Sequence, residues 1–254
     1  MELQLQPEGD PCPVCGTATQ LYDVVDFNKS CIEAGGQHLQ MAGLPIYYVS
    51  CPACRFAFAP AMWGWDAALF HEHVYNDDYA LVDPDYLEVR PEGNARFLLG
   101  MFPDLRGVRH LDYGGGNGRM SQQLREAGID SQSFDPFVTG YDSRPAETFD
   151  LVTAFEVFEH VPSVERLMAD LNALTHDRSV VLFSTAISDG RMPENGRLTW
   201  WYASPRNGHI SLYSRDSLWR LAQRHGFAFG SLNDNYHLFC RTIPDWAKAA
   251  IHAG

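Results

Sequence analysis

The chain has 254 residues, of which 45% are hydrophobic and 20% charged, enough for one sizeable domain with a small appendage and a buried core. Its formal net charge of −13 disfavours nonspecific binding to nucleic acid or to an anionic membrane surface. No apolar run is long enough to cross a membrane and no basic, apolar leader opens the chain, so a cytoplasmic setting and a small-molecule partner are expected, with neither nucleic acid nor membrane.

Residues 1–60 carry four of the six cysteines, as Cys12-Pro-Val-Cys15-Gly16 and Cys51-Pro-Ala-Cys54 with 35 residues between the pairs. Two such knuckles let four thiolates close a tetrahedron around one ion, and Gly16 permits the tight turn that aims backbone amides at the sulfurs. Disulfides are disfavoured in a reducing cytosol, so the expectation is a structural Zn2+, with rubredoxin-like iron as the alternative. A closed site of four sulfurs has no open coordination position and does no chemistry. Cys31 and Cys240 read as small buried residues.

Residues 61–107 form a bridging segment rich in aromatics and acids, from Met62-Trp63-Gly64-Trp65 to Phe70 and Tyr79. It either covers a cationic ligand, with Tyr75 and Tyr79 contributing to substrate binding, or packs between domains. His71-Glu72-His73 lacks H-E-x-x-H spacing and is not read as a metal site. Asn94 to Met101 reads as a short helix ended before Pro103.

Next comes the stretch Val108 to Met120. An apolar, strand-like approach meets Asp112, glycines follow at 114, 116 and 118, and Met120, Leu124 and Ala127 then take helical spacing. Glycine at such a turn accepts positive φ and lets a ligand lie on the backbone. Gly-Lys occurs nowhere in the chain, which excludes a nucleotide-triphosphate loop, and G-x-G-x-x-G fails in both registers. The remaining pattern is D-x-G-x-G-x-G, with Asp135 placed 21 residues after Gly114 at the end of a second strand-like run, Ser131 to Phe134. A glycine-rich turn with an incidental acid is the bland alternative.

This pattern resembles motif I of the class I methyltransferases that use S-adenosylmethionine (SAM). The resemblance implies that Gly114, Gly116 and Gly118 pass under the cofactor, that Asp112 lies near its ammonium group, and that Asp135 accepts hydrogen bonds from its ribose. Pro136 and Phe155 complete the expected cofactor contacts. An acid also suits a cationic ligand on elementary grounds, whereas it would repel a pyrophosphate.

Phe149 to Phe155 is an apolar strand ending in Glu156-Val-Phe-Glu159-His160, and Phe149 to Ser163 resembles the fourth-strand motif of small-molecule methyltransferases. Ligands of an open parallel sheet sit beyond the carboxyl ends of its strands, which makes these acids and His160 candidates for chemistry; bracing of the loop is the alternative reading. Val164 to Leu174 keeps helical spacing and Ser179 to Thr185 is an apolar strand. The connection from Ala186 to His209 is long and aromatic, and is expected to be a substrate lid bearing Trp200, Trp201, Tyr202 and Arg206, or else a packed surface loop. His209 matches a histidine position of related methyltransferases. Ser214 caps the last helix, Gly226 stops it, and strands from Phe227 to Leu232 and Tyr236 to Arg241 form a terminal hairpin.

The expected fold is therefore α/β: a Rossmann-like class I methyltransferase sheet of seven strands, the last antiparallel, over residues 108–254, behind a zinc-ribbon-like module. The resemblance implies in-line transfer of methyl from SAM to a small molecule; the four-cysteine module, loosely similar to sugar C-methyltransferases, points to a sugar or natural-product intermediate. His160 and His209 are the general-base candidates, since imidazole titrates near pH ~6.5. Glu156 or Glu159 orients one of them or binds substrate, and Arg206 anchors a substrate anion. A non-catalytic SAM-sensing or zinc-knuckle protein-binding module, and a nicotinamide-dependent oxidoreductase, are the other readings.

Overall fold

A computed structural model describes residues 9–194 and 196–252. Its strands in chain order are β1 (Gln20–Asp26), β2 (Pro45–Ser50), β3 (Ala57–Phe58), β4 (Arg109–Tyr113), β5 (Asp130–Phe134), β6 (Phe149–Phe155), β7 (Thr175–Ser184), β8 (Ser211–Leu212), β9 (Ala228–Ser231) and β10 (Tyr236–Cys240). They form two sheets in two compact units. Among the described residues no helix is long and apolar enough to cross a membrane.

The first unit comprises residues up to 83, 159–164 and 186–221. Its sheet has the order β1-β2-β3-β8, all antiparallel, with Ala57 opposite Leu212 and Phe58 opposite Ser211. The strands are short and leave much of the burial to aromatics. Phe27, Tyr48, Met62, Phe70, Trp200, Tyr202, Ile210 and Leu212 share one core. Trp200 and Tyr202, expected to close over a substrate, are thus interior residues at 8% and 3% exposure; Trp201, at 40%, is the exposed ring of the three. The long connection is held by backbone contacts as well: Tyr48 donates to the carbonyl of His209 at 2.7 Å.

The second unit comprises residues 84–158, 165–185 and 222–254, and contains a mixed sheet of order β5-β4-β6-β7-β10-β9. β6 and the second half of β7 are continuous buried runs, as strands covered on both faces require. β4 pairs in parallel with β5 and β6, and β6 with β7, while β10 runs antiparallel to both β7 and β9. The hairpin and its antiparallel strand are as expected, but a further helix, Asp245–His252, follows them, and the sheet has six strands instead of seven. Only residues 135–148 separate β5 from β6, and turns at Asp135, Val138 and Tyr141 occupy the start of that stretch. That is too short for a helix plus a further parallel strand.

The expected bridging segment contributes to both units, its residues up to 83 to the first and from 84 to the second. Its helix Val89–Met101 starts earlier than the sequence suggests and buries Ala95 and Leu98 in the core of the second unit.

Candidate functional site

Cys12, Cys15, Cys51 and Cys54 come together although the pairs are far apart in sequence; all their sulfurs lie within 4.8 Å of one another. Cys12 and Cys54 sulfurs are 3.6 Å apart, and those of Cys15 and Cys51 are 3.4 Å apart, with no disulfide among them. Zinc with four sulfurs at ~2.3 Å would hold them ~3.8 Å from each other, so the donor set fits such an ion. Amides of Val14 and Cys15 point at the Cys12 sulfur, and those of Ala53 and Cys54 at the Cys51 sulfur.

The two knuckles share one backbone pattern. Gly16 N–H donates to Cys12 O and Arg55 N–H to Cys51 O, both at 2.8 Å. Both donors sit in the left-handed region, Gly16 at φ +79° and Arg55 at φ +60°. Arginine there costs about 1–2 kcal/mol that glycine avoids, partly offset by glycine's greater loss of chain entropy. Arg55→Gly is accordingly expected to stabilise the protein by about 0.5–1 kcal/mol, measured by denaturant unfolding of the metal-loaded chain.

The glycine loop follows β4 in the second unit. Gly114, Gly116 and Gly118 have φ of +74°, +53° and +73°. A Cβ on Gly114 would collide with Val157, and one on Gly118 would come within 2.5 Å of the Tyr141 hydroxyl. On Gly116 it would meet nothing within 4 Å, so open space lies over the middle of the loop. Gly116 N–H donates to Asp135 Oδ2 and Phe137 N–H to Asp135 Oδ1, each at 2.9 Å, which ties the loop to the end of β5. Pro136 is exposed in the turn that follows, whereas Phe155 is buried edge-on against Phe97 and Tyr236.

Beneath the loop, a chain of hydrogen bonds crosses three strands. Thr153 Oγ1 donates its one proton to Asp112 Oδ1 at 2.9 Å, so the 2.9 Å contact of the same oxygen with His110 Nε2 makes that nitrogen a donor. Burial lowers His110 to about 3, so it is neutral. Its Nδ1 then accepts from the Ser131 hydroxyl at 2.7 Å. The sequence reading missed His110, Ser131 and Thr153; the signal was a histidine two residues before Asp112, on the same face of an otherwise apolar strand.

Asp112 is 4% exposed, and no cationic side chain forms an ion pair with it among the described residues. Burial pushes its carboxyl up to about 7; the Thr153 hydrogen bond opposes this and the Asp135 charge adds to it. A buried acid with a second carboxylate nearby suits a positively charged ligand, whose charge would offset the burial and the repulsion. Because the folded state keeps the proton to higher pH than the unfolded chain, which ionises near ~3.9, ligand-free stability falls as pH rises from about 4 to 7. Asp112→Asn removes that loss. Chemical unfolding without ligand should therefore find variant and parent similar at pH ~4, and the variant more stable by a few kcal/mol at pH ~8.

A third constellation belongs to the first unit. Pro205 starts a 3-10 turn that ends at Gly208 (φ +83°), delivering His209 toward His160; the two rings are 4.8 Å apart between centroids. Glu159 is fully buried and accepts from the Tyr202 hydroxyl at 2.5 Å. One donor atom each from Glu159, His160 and His209 lie within 4.8 Å of one another. Tyr75 stands by with its hydroxyl 3.2 Å from His160 Nδ1, and packs edge-on against Tyr79. Arg206 is buried, with its guanidinium donating to Val74 O at 2.9 Å and Asn76 Oδ1 at 3.2 Å, a bracing role. Glu156 is at φ +54° and exchanges hydrogen bonds with Ser184: its N–H donates to Oγ, and Oγ donates back to its carboxylate, both at 2.8 Å.

A family model described as a methyltransferase domain matches residues 86–232. No curated protein matches the chain. The chain is similar in fold to the Burkholderia thailandensis 1,6-didemethyltoxoflavin-N1-methyltransferase, solved with 1,6-didemethyltoxoflavin and S-adenosylhomocysteine. The TM-score is 0.51 at 16% identity, over 80% of this chain and 96% of that one. Magnesium protoporphyrin IX methyltransferase from Synechocystis, solved with SAM, is similar at a TM-score of 0.41 and 15% identity, over 71% and 92% of the two chains. CalO1, a methyltransferase of calicheamicin biosynthesis, gives 0.43 at 18% identity, over 66% and 60%.

Proposed function

The chain belongs to the methyltransferase-domain family, and from that premise we propose that it transfers the methyl group of SAM to a small-molecule acceptor. The observation that carries the proposal is the cradle over Gly116, bordered by the carboxylates of Asp112 and Asp135. When bound, the cofactor supplies a methyl group already activated by the positive sulfonium. Gly114, Gly116 and Gly118 would hold it by backbone, Asp112 would meet its ammonium group and Asp135 its ribose hydroxyls, with Pro136 and Phe155 alongside. His110 and Thr153 keep the Asp112 oxygen aimed. Zn2+ on Cys12, Cys15, Cys51 and Cys54 would stabilise the first unit without touching the chemistry.

Glu159, His160 and His209 would handle the acceptor, with Tyr75, Tyr79 and Tyr202 fixing their orientation. The protein has to align the acceptor with the methyl group and take up its proton, tasks that suit imidazoles beside a carboxylate. The similar Burkholderia enzyme holds 1,6-didemethyltoxoflavin, a small molecule, and a sugar or natural-product intermediate is the acceptor class proposed here.

Calorimetric titration with SAM, followed by a screen of acceptors for S-adenosylhomocysteine release, tests the proposal. His160→Ala and His209→Ala are expected to keep SAM affinity and to lower turnover by about 100-fold or more. Turnover at the parent rate in both would remove these residues from the acceptor site.

A further inference from the structure

We propose that Glu159, His160 and His209 bind a divalent first-row transition-metal ion, separate from the ion of the four thiolates. This deepens the methyltransferase reading, on which the role given to the ion rests. Three donor atoms, one from each residue, already lie within 4.8 Å of one another, so a shift of roughly an ångström each would bring them onto one centre at metal–ligand distances of about 2.1 Å.

The surroundings fix the ligands as metal sites require. His209 Nδ1 is 2.7 Å from the carbonyl oxygen of Tyr202, and His160 Nδ1 is 3.2 Å from that of Gly208. A carbonyl only accepts, so both Nδ1 atoms carry the proton, and Nε2 is the atom each ring would offer to a metal. A histidine whose second nitrogen donates to a backbone carbonyl is oriented and made more basic for a metal. Tyr202 serves twice: its carbonyl holds His209, and its hydroxyl donates to Glu159 Oε1. Gly208 is required at its position by φ +83° and because a Cβ there would come within 3.2 Å of both His160 Nδ1 and the Tyr75 hydroxyl.

Two imidazoles and one carboxylate select a transition ion over magnesium or calcium, and three protein ligands leave coordination positions open. With one carboxylate the site carries one net positive charge, which favours an acceptor that binds through an anionic oxygen, such as an enolate or phenolate. The class of acceptor is thereby narrowed to molecules with an ionisable hydroxyl.

The test uses the full chain, loaded with one equivalent of Zn2+ to fill the thiolate site and then titrated with Co2+. We expect a further equivalent to bind with ligand-field absorption but no sulfur-to-cobalt charge transfer. His160→Ala and His209→Ala should weaken it by about 100-fold while retaining zinc and the parent melting curve. Should His209→Ala fail to fold, the half-buried His160 variant decides alone. Zinc-loaded protein that takes up no Co2+, or a folded His160→Ala that takes it up as the parent does, overturns the proposal. Methyl transfer lost when the second ion is stripped and regained on its return supports the role; transfer indifferent to the ion overturns it. Failure of the methyltransferase reading looks different: SAM titration is then flat while cobalt still binds.

Discussion

Gly116→Arg is expected to abolish SAM binding, weakening it at least about 100-fold, or ~2.7 kcal/mol, while the second unit stays folded. The position faces open space, so the new side chain enters the cradle instead of the protein interior. Its φ of +53° costs an L-residue only about 1–2 kcal/mol, well within the stability of a domain of this size. Gly114→Ala supplies the contrast. There a single methyl group meets Val157 at φ +74°, and the expected result is a loss of about 2–4 kcal/mol of stability, with binding lost as a consequence. Calorimetry with SAM and S-adenosylhomocysteine, read beside denaturant unfolding, separates the two. Undiminished SAM affinity in a folded Gly116→Arg variant would place the cofactor elsewhere.

The second large effect is expected at the thiolates. Apparent binding energies of structural zinc are on the order of 10 kcal/mol or more, and binding energy of that kind is folding energy. Cys51 is 1% exposed and its sulfur lies 3.4 Å from that of Cys15, so Cys51→Ser, or removal of zinc by a strong chelator, should unfold the first unit and with it the Glu159–His160–His209 constellation. The second unit has its own core from Leu98, Leu124, Leu151, Leu182 and Leu238 and should go on binding SAM. Metal analysis, hydrogen exchange and SAM calorimetry on one sample read all three consequences. A metal-free protein whose first unit exchanges as slowly as before would show that the thiolates do not support the fold.

Much of this molecule was legible residue by residue, because the features concerned are local. Cysteine spacing and thiolate chemistry announced a four-sulfur site, and positive-φ geometry made Gly114, Gly116 and Gly118 a loop after a strand. Apolar runs marked β6 and most of β7, and Asn233-Asp234-Asn235 between two strand-like runs marked the terminal hairpin. Ser214 does cap its helix, accepting from Ser217 N–H at 3.0 Å, as a serine before an amphipathic run should.

What the tertiary structure alone decided depends on contacts between residues distant in the chain. The pairing of β3 with β8 joins two strands of two residues each, too short to carry any period. The aromatic run Trp200-Trp201-Tyr202 reads the same whether it packs inward or lies over a ligand; the core around Tyr48 and Phe70 buries two of the three. The path from Ser131 through His110 and Thr153 to Asp112 exists only because β5, β4 and β6 align in one register. His209 meets Glu159 and His160 because Gly208 turns the chain there, and no local preference specifies that meeting. Spacing and composition encode what a few neighbouring residues do; register and long-range closure settle which of those residues face each other.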